Sequence, residues 1–118
     1  MSSVVPAPGR ITTHVLDTAA GRPGASMSLT LHRLENGGRE LLGRFLTNAD
    51  GRCDRPLLEG AAMRPGLYEI TFHVAEWRAA EETFFDDIPI RFRVSDPHAH
   101  HHVPLILAPF GYTTYRGS

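Results

Sequence analysis

Lysine is absent. All twelve basic residues are arginine, which excludes Schiff-base chemistry, a phosphate-loop lysine and a lysine nucleophile. Cysteine occurs once, as Cys53, so no intrachain disulfide can form. No apolar run approaches the about 20 residues that a membrane span needs. No block of like charge occurs either: twelve basic against thirteen acidic residues leave a net charge of −1. That balance offers no electrostatic footprint for nucleic acid or an anionic membrane. The opening residues, Met1-Ser-Ser-Val-Val-Pro-Ala-Pro, lack the charged and apolar regions of a secretory signal. The closing Arg116-Gly117-Ser118 is not a peroxisomal Ser-Lys-Leu address. A soluble cytoplasmic protein is expected. Chemistry is left to His, Arg, carboxylates, hydroxyls and Cys53.

What is present is an ordinary globular balance, 42% hydrophobic and 21% charged over 118 residues. That is one domain by length. Such a chain buries roughly two-thirds of its unfolded surface and needs no metal or disulfide to fold. Residues 1–10 read as a flexible N-terminal tail and 11–118 as the domain. Within it, apolar and polar residues alternate with the period of a strand. Ile11–Asp17, Ser28–Leu34, Leu67–Val74 and Ile88–Val94 qualify, and Leu41–Thr47, the apolar run Val103–Ala108 and Tyr112–Tyr115 read as further strands. Arg55–Leu58 is a further edge candidate, broken by Pro56. Asn36-Gly37-Gly38 signals a hairpin, and Asn48-Ala49-Asp50-Gly51 a tight turn. Ala75–Glu82 favours a helix of about two turns. Seven or eight short strands with one inserted helix point to an all-β sandwich.

Seven histidines form the chemical inventory, and four crowd together as His98, His100, His101 and His102. In an extended segment His98, His100 and His102 share one face and His101 points away. Three readings fit: a zinc site, a polar pocket wall and a solvated loop. No carboxylate–histidine constellation elsewhere strengthens the metal reading. His14 stands in the first strand, sharing a face with Thr12 and Leu16, as a site residue or a satisfied core histidine. Arg52 leaves the Asp50-Gly51 turn as a ligand-facing or a plain surface arginine. Cys53 is a thiol without a base fixed by sequence.

Taken together, these segments resemble the 5-hydroxyisourate hydrolases, the transthyretin-related enzyme family. The resemblance runs from Ile11 to Ser118. It rests on Ile11-Thr-Thr-His14-Val-Leu-Asp17 with Gly21-Arg-Pro-Gly24-Ala, and on Thr47-Asn-Ala-Asp-Gly51-Arg52. It rests also on His100-His-His102-Val-Pro104-Leu, on Ala108-Pro-Phe-Gly-Tyr112 and on the terminal Tyr115-Arg-Gly-Ser118. The tetrapeptide is the most specific element, separating the hydrolases from the hormone carrier transthyretin. Two departures are His101, where the family has Tyr, and Thr113, where it has Ser.

The resemblance implies a transthyretin-like (prealbumin-like) Greek-key β-sandwich assembled as a homotetramer, a dimer of dimers. It implies active sites in a channel between dimers. It implies hydrolysis of 5-hydroxyisourate at its C6 carbonyl, in urate degradation, with no metal and no organic cofactor. His14, Arg52, His102 and Ser118 would be the catalytic set. His14, Arg52, Tyr115 and His100 would bind substrate. The alternative is a transthyretin-like carrier of a small ligand without catalysis.

Overall fold

The computed structural model describes residues 8–78 and 83–118. Most of the expected tail (residues 1–7) and the end of the expected helix (79–82) lie outside the described residues. Among the described residues nine extended segments follow one another: β1 (Arg10–Asp17), β2 (Arg22–Pro23), β3 (Ser28–Glu35), β4 (Gly38–Leu46), β5 (Leu58–Glu59), β6 (Gly66–Phe72), β7 (Ile88–Val94), β8 (His100–Leu107) and β9 (Tyr112–Thr114). One sheet runs β2-β1-β8-β9, with β5 also paired to β1; the other runs β4-β3-β6-β7. No helix among the described residues is long and apolar enough to cross a membrane.

The alternation seen in the sequence is the alternation of burial. In β1, Ile11 and Val15 are fully buried and Thr13 nearly so, while Thr12, His14 and Leu16 stay partly open. The core joins both sheets: Ile11, Val15, Leu105 and Leu107 from one meet Leu29, Leu31, Tyr68, Ile70 and Phe72 from the other. Each such side chain contributes about 1.5–3 kcal/mol by leaving water. The sequence is therefore all-β and two-layered, as the alternation predicts.

Local departures have local causes. Asn36 (φ 53°) and Gly37 (φ 75°) both take left-handed backbone, the requirement of a tight two-residue hairpin. Glu35 pairs directly with Gly38, so β4 begins at Gly38 rather than at the expected Leu41. Its start is an edge with both faces wet, where alternation carries no signal. The paired segment β5 is Leu58–Glu59, not Arg55–Leu58, because Pro56 has no N–H to give a ladder. The described helix, α1 (Val74–Trp77), is a single turn. Trp77 Nε1 ties it down by donating to the Ala25 carbonyl at 2.7 Å. It links the antiparallel neighbours β6 and β7, so it is an insertion and not a parallel crossover.

One pairing decides the site. β1 and β8 run parallel, with Thr12 opposite His102 and His14 opposite Pro104. All other strand pairs are antiparallel. On the other flank of β8, the ladder to β9 stops at Leu105↔Thr114 and resumes as one bridge, His102↔Gly117. Pro104 sits in the gap and can donate to neither neighbour. β8 thus carries His102 between β1 and the C-terminal segment.

Candidate active site

The loop after β4 is closed upon itself. The Asn48 side-chain oxygen accepts from the backbone N–H of Asp50 (2.9 Å) and of Arg52 (3.2 Å). Gly51 N–H donates to the Asn48 carbonyl at 2.9 Å. Gly51 has φ 76° and lies so close to β1 that a Cβ there would come 2.3 Å from the Val15 carbonyl oxygen. Only glycine fits both constraints. The loop then docks on β1: Val15 N–H donates to the Gly51 carbonyl at 2.8 Å, and His14 and Arg52 form an isolated bridge. The Asn-Ala-Asp-Gly-Arg run is therefore a device that seats Arg52 beside His14.

His14 Nε2 lies 2.9 Å from the Asp50 carbonyl oxygen. A carbonyl only accepts, so Nε2 carries a proton and only Nδ1 remains as a base. The Arg52 side chain is exposed and has no hydrogen-bond or ion-pair partner among the described residues. Its planar fork of donors is uncommitted.

A cavity of about 360 Å³ opens beside this loop, lined by Thr12, Arg52, Cys53, His100, His102 and Ser118 among others. One hydroxyl joins its two histidines: Thr12 Oγ1 lies 2.6 Å from His100 Nε2 and 2.8 Å from His102 Nδ1. Both imidazoles are held below the usual 6.5. For His102 the causes are burial first, then the charges of His100, Arg52 and His14. For His100 they are burial first, then Arg10, His101 and Arg116. A neutral imidazole facing water is a general base near neutral pH.

His101 turns the other way. It is buried, and its Nδ1 donates to the Ala99 carbonyl at 3.0 Å. The alternation expected for the histidine run is present from His100 to His102. His98 is exposed and precedes the strand. Among the described residues no three His, Cys, Asp or Glu side chains are grouped to hold a metal ion.

The structure thus brings together His100, His102, Arg52 and Ser118 as cavity walls, with His14 bridged to Arg52. Tyr115 stands elsewhere. It is 55% exposed and lines a second cavity of about 330 Å³ with Ile90, Phe92 and His101. His102 lines both cavities. Cys53 is a poor nucleophile here, because burial, with Asp54 beside it, pushes its thiol up to about 11. Sequence reasoning missed Thr12 as a partner of the histidines. The only signal was its place two residues before His14 on one strand face.

Gly117 completes the site. Its N–H donates to the His102 carbonyl at 2.8 Å, and a Cβ on it would lie 2.4 Å from His102 Cδ2. Gly117→Ala is expected to displace the imidazole and lower turnover, with a small loss of stability because Gly117 lies outside the hydrophobic core. Comparison of turnover and thermal midpoint for the two proteins checks this.

The lowered histidines also set a pH dependence of stability. His32 joins His100 and His102, held down by burial first and then by Arg39. Between each folded pKa and 6.5 the unfolded chain binds more protons than the fold. Their stabilising contribution is complete above 6.5 and is lost as pH falls below it. Denaturant midpoints are expected to fall from pH about 7.5 to about 5, with a shallower slope in a His100→Asn, His102→Asn double variant.

Known proteins resemble this chain in sequence and fold. A family model described as HIUase/Transthyretin family matches residues 11–117. The 5-hydroxyisourate hydrolase of Ralstonia nicotianae is 49% identical over 116 residues, covering 93% of this chain and 99% of that one. The structure of Klebsiella pneumoniae 5-hydroxyisourate hydrolase superimposes with a TM-score of 0.80 at 34% identity, over 93% of this chain and 99% of that one. The crystal structure of an (S)-allantoin synthase superimposes with a TM-score of 0.88 at 42% identity. It covers 98% of this chain, which spans only 46% of that longer one. The fold is the transthyretin-like sandwich, and the chain belongs to the HIUase/Transthyretin family.

Proposed function

We propose that this protein hydrolyses 5-hydroxyisourate to 2-oxo-4-hydroxy-4-carboxy-5-ureidoimidazoline, opening the six-membered ring at the N1–C6 amide. The observation that carries the reading is the cavity itself. Two neutral-leaning histidines joined by one hydroxyl lie across from an uncommitted guanidinium, in a chain whose relatives are named for this hydrolysis.

His102 takes a proton from water at Nε2, and the resulting hydroxide attacks C6. His14 is a weaker candidate for this step, because its Nε2 proton is committed to the Asp50 carbonyl. Arg52 receives the developing oxyanion. His100 and His14 hold the ring's polar edge. Ser118, through its hydroxyl, orients the attacking water. When the C6–N1 bond breaks, N1 takes up the proton held at His102. The C6 carbonyl is electrophilic enough that the reaction calls for no metal or organic cofactor. Tyr115 reaches the substrate from the adjoining cavity, across His102.

The same reading places the protein in purine degradation, in the cytoplasm, as a homotetramer. Support for assembly comes from the end strands β7 and β9, each paired on one side only, and from exposed Phe110 (75%) and Tyr115 (55%). Exposed apolar side chains beside free strand edges suit contact between copies. A carrier without turnover has no comparable support.

The test is a coupled ultraviolet assay. Urate oxidase generates 5-hydroxyisourate in place, and its absorbance decay is followed with and without the protein. Acceleration well above the spontaneous rate is expected. A decay equal to buffer, from folded protein that binds a purine analogue in the cavity, would favour the carrier.

A further inference from the structure

We infer that Thr12 is a positioning residue that fixes His102 as the Nδ1–H tautomer and joins it to His100 through a single hydroxyl. The inference rests on the assignment of His102 as the base.

A threonine hydroxyl has one proton to give and two lone pairs. Here it meets two ring nitrogens, His100 Nε2 at 2.6 Å and His102 Nδ1 at 2.8 Å. It cannot donate to both. In two neutral rings, one nitrogen must therefore donate to Oγ1 if both bonds are to form. Two single-donation arrangements are open. In the first, His102 Nδ1–H donates to Oγ1 and Oγ1–H donates to His100 Nε2. His102 Nε2 is then a bare lone pair. In the second, both donations are reversed, and His102 carries its proton on Nε2, where it can take none from water. The first, like a third in which both nitrogens donate to the two lone pairs of Oγ1, leaves His102 Nε2 free to take a proton from water; the second leaves only His100 Nδ1 bare.

The placement explains why one hydroxyl can hold both rings. Thr12 is directly opposite His102 in the parallel β1–β8 pair, and His100 is two residues back on the same face of β8. The two rings are 6.0 Å apart, centre to centre, so an atom between them can touch both. On the far side of His102, Gly117 leaves no side chain to compete for the ring. Among the described residues, Thr12 is the sole hydrogen-bond partner of either ring's nitrogens.

The arrangement also couples the rings. When His102 Nε2 takes a proton from water, its Nδ1–H bond to Oγ1 strengthens. Oγ1–H then binds His100 Nε2 more firmly, which keeps that nitrogen unprotonated. The pair accepts one proton readily and a second one reluctantly. The titratable and charged groups that face the pair are Arg10, His14, Arg52, His101 and Arg116. All are cationic or become so, and all oppose the second proton.

The experiment uses full-length protein with 15N-labelled histidine, in wild type, Thr12→Val and Thr12→Ser. Valine keeps the branched strand-forming shape and removes the hydroxyl; serine restores it. Two-bond 15N–1H correlation above pH 6.5 reads the tautomer of His102 directly. Wild type and Thr12→Ser are expected to show a proton on Nδ1 and a bare Nε2; Thr12→Val should lose that preference. Turnover of Thr12→Val should fall by about 10–100-fold in kcat, the range seen when a group that orients a metal-bound histidine is removed, with little change in KM. Thr12→Ser should recover most of it. A wild-type His102 protonated on Nε2 would overturn the proposal, and this readout needs no variant to fold. An unchanged tautomer with unchanged kcat in Thr12→Val would overturn it too. Full activity in His102→Ala would instead sink the underlying assignment, while the spectra still report on Thr12.

Discussion

Replacing His102 by alanine is expected to lower kcat by about 10²–10⁴-fold, the range for loss of a general base. The ring is held neutral by burial and by cationic neighbours. It sits at a cavity wall with Thr12 on one side and Gly117 on the other. The fold should survive, because His102 is held in the sheet through its backbone: β8 pairs along the whole of β1, and the Gly117 bridge uses main-chain atoms. His102 is only half-buried, and the fully buried core side chains lie on the opposite face of β8. A thermal midpoint near wild type with collapsed turnover is the expected pair of results. The assay must subtract spontaneous decay of the substrate, which sets a floor under any variant. Near-normal turnover in a folded His102→Ala protein would remove the base from this site and return attention to His14 Nδ1.

Arg52→Ala should cost about 10²–10³-fold in kcat, as loss of an oxyanion donor does. Its guanidinium is uncommitted among the described residues, so the substitution breaks no structural bond. The loop around it is held by Asn48, by Gly51 and by main-chain contacts to β1, none of which needs the side chain. Stability should therefore hardly move. Arg52→Lys separates two kinds of help. A lysine keeps the charge but loses the planar pair of donors, so partial recovery would show that charge alone carries part of the effect. If Arg52→Ala instead raises KM with kcat unchanged, Arg52 binds ground state and transition state alike. The oxyanion assignment would then be wrong.

The alternation of β1, β3, β6 and β7 was legible because one face of each is packed on the core and the other is not. Period-two burial writes itself into side-chain choice. The Asn48–Arg52 turn was legible for a different reason: Asn and Gly do their work within a few residues. The histidine run was legible as a face, with His101 opposed to His100 and His102. Other features were not. β4 starts in a wet hairpin edge, where polarity marks neither face. The described helix ends at Trp77, and its anchor is the distant Ala25 carbonyl. Glu69 falls on the outward face of β6 by its spacing, yet it is 2% exposed. Arg91, from the neighbouring strand β7, and Arg39, from β4 on the far side of β3, fold over it at 2.8 Å. Charge pairing across strands cannot be seen in a single one.

By itself the sequence determined the material of this protein: an all-β chain, its inward and outward residues, its turns, and a stock of chemistry without lysine. Its resemblance to a hydrolase family pointed to His14, Arg52 and His102 before any coordinates. Only the tertiary structure decided how these meet. The parallel pairing of β1 with β8 joins residues 88 and 90 positions apart, Thr12 with His100 and with His102. Local preference ends within a few residues, whereas register between distant strands is chosen by the packing of both sheets together. The meeting of one threonine with two histidines follows from that register.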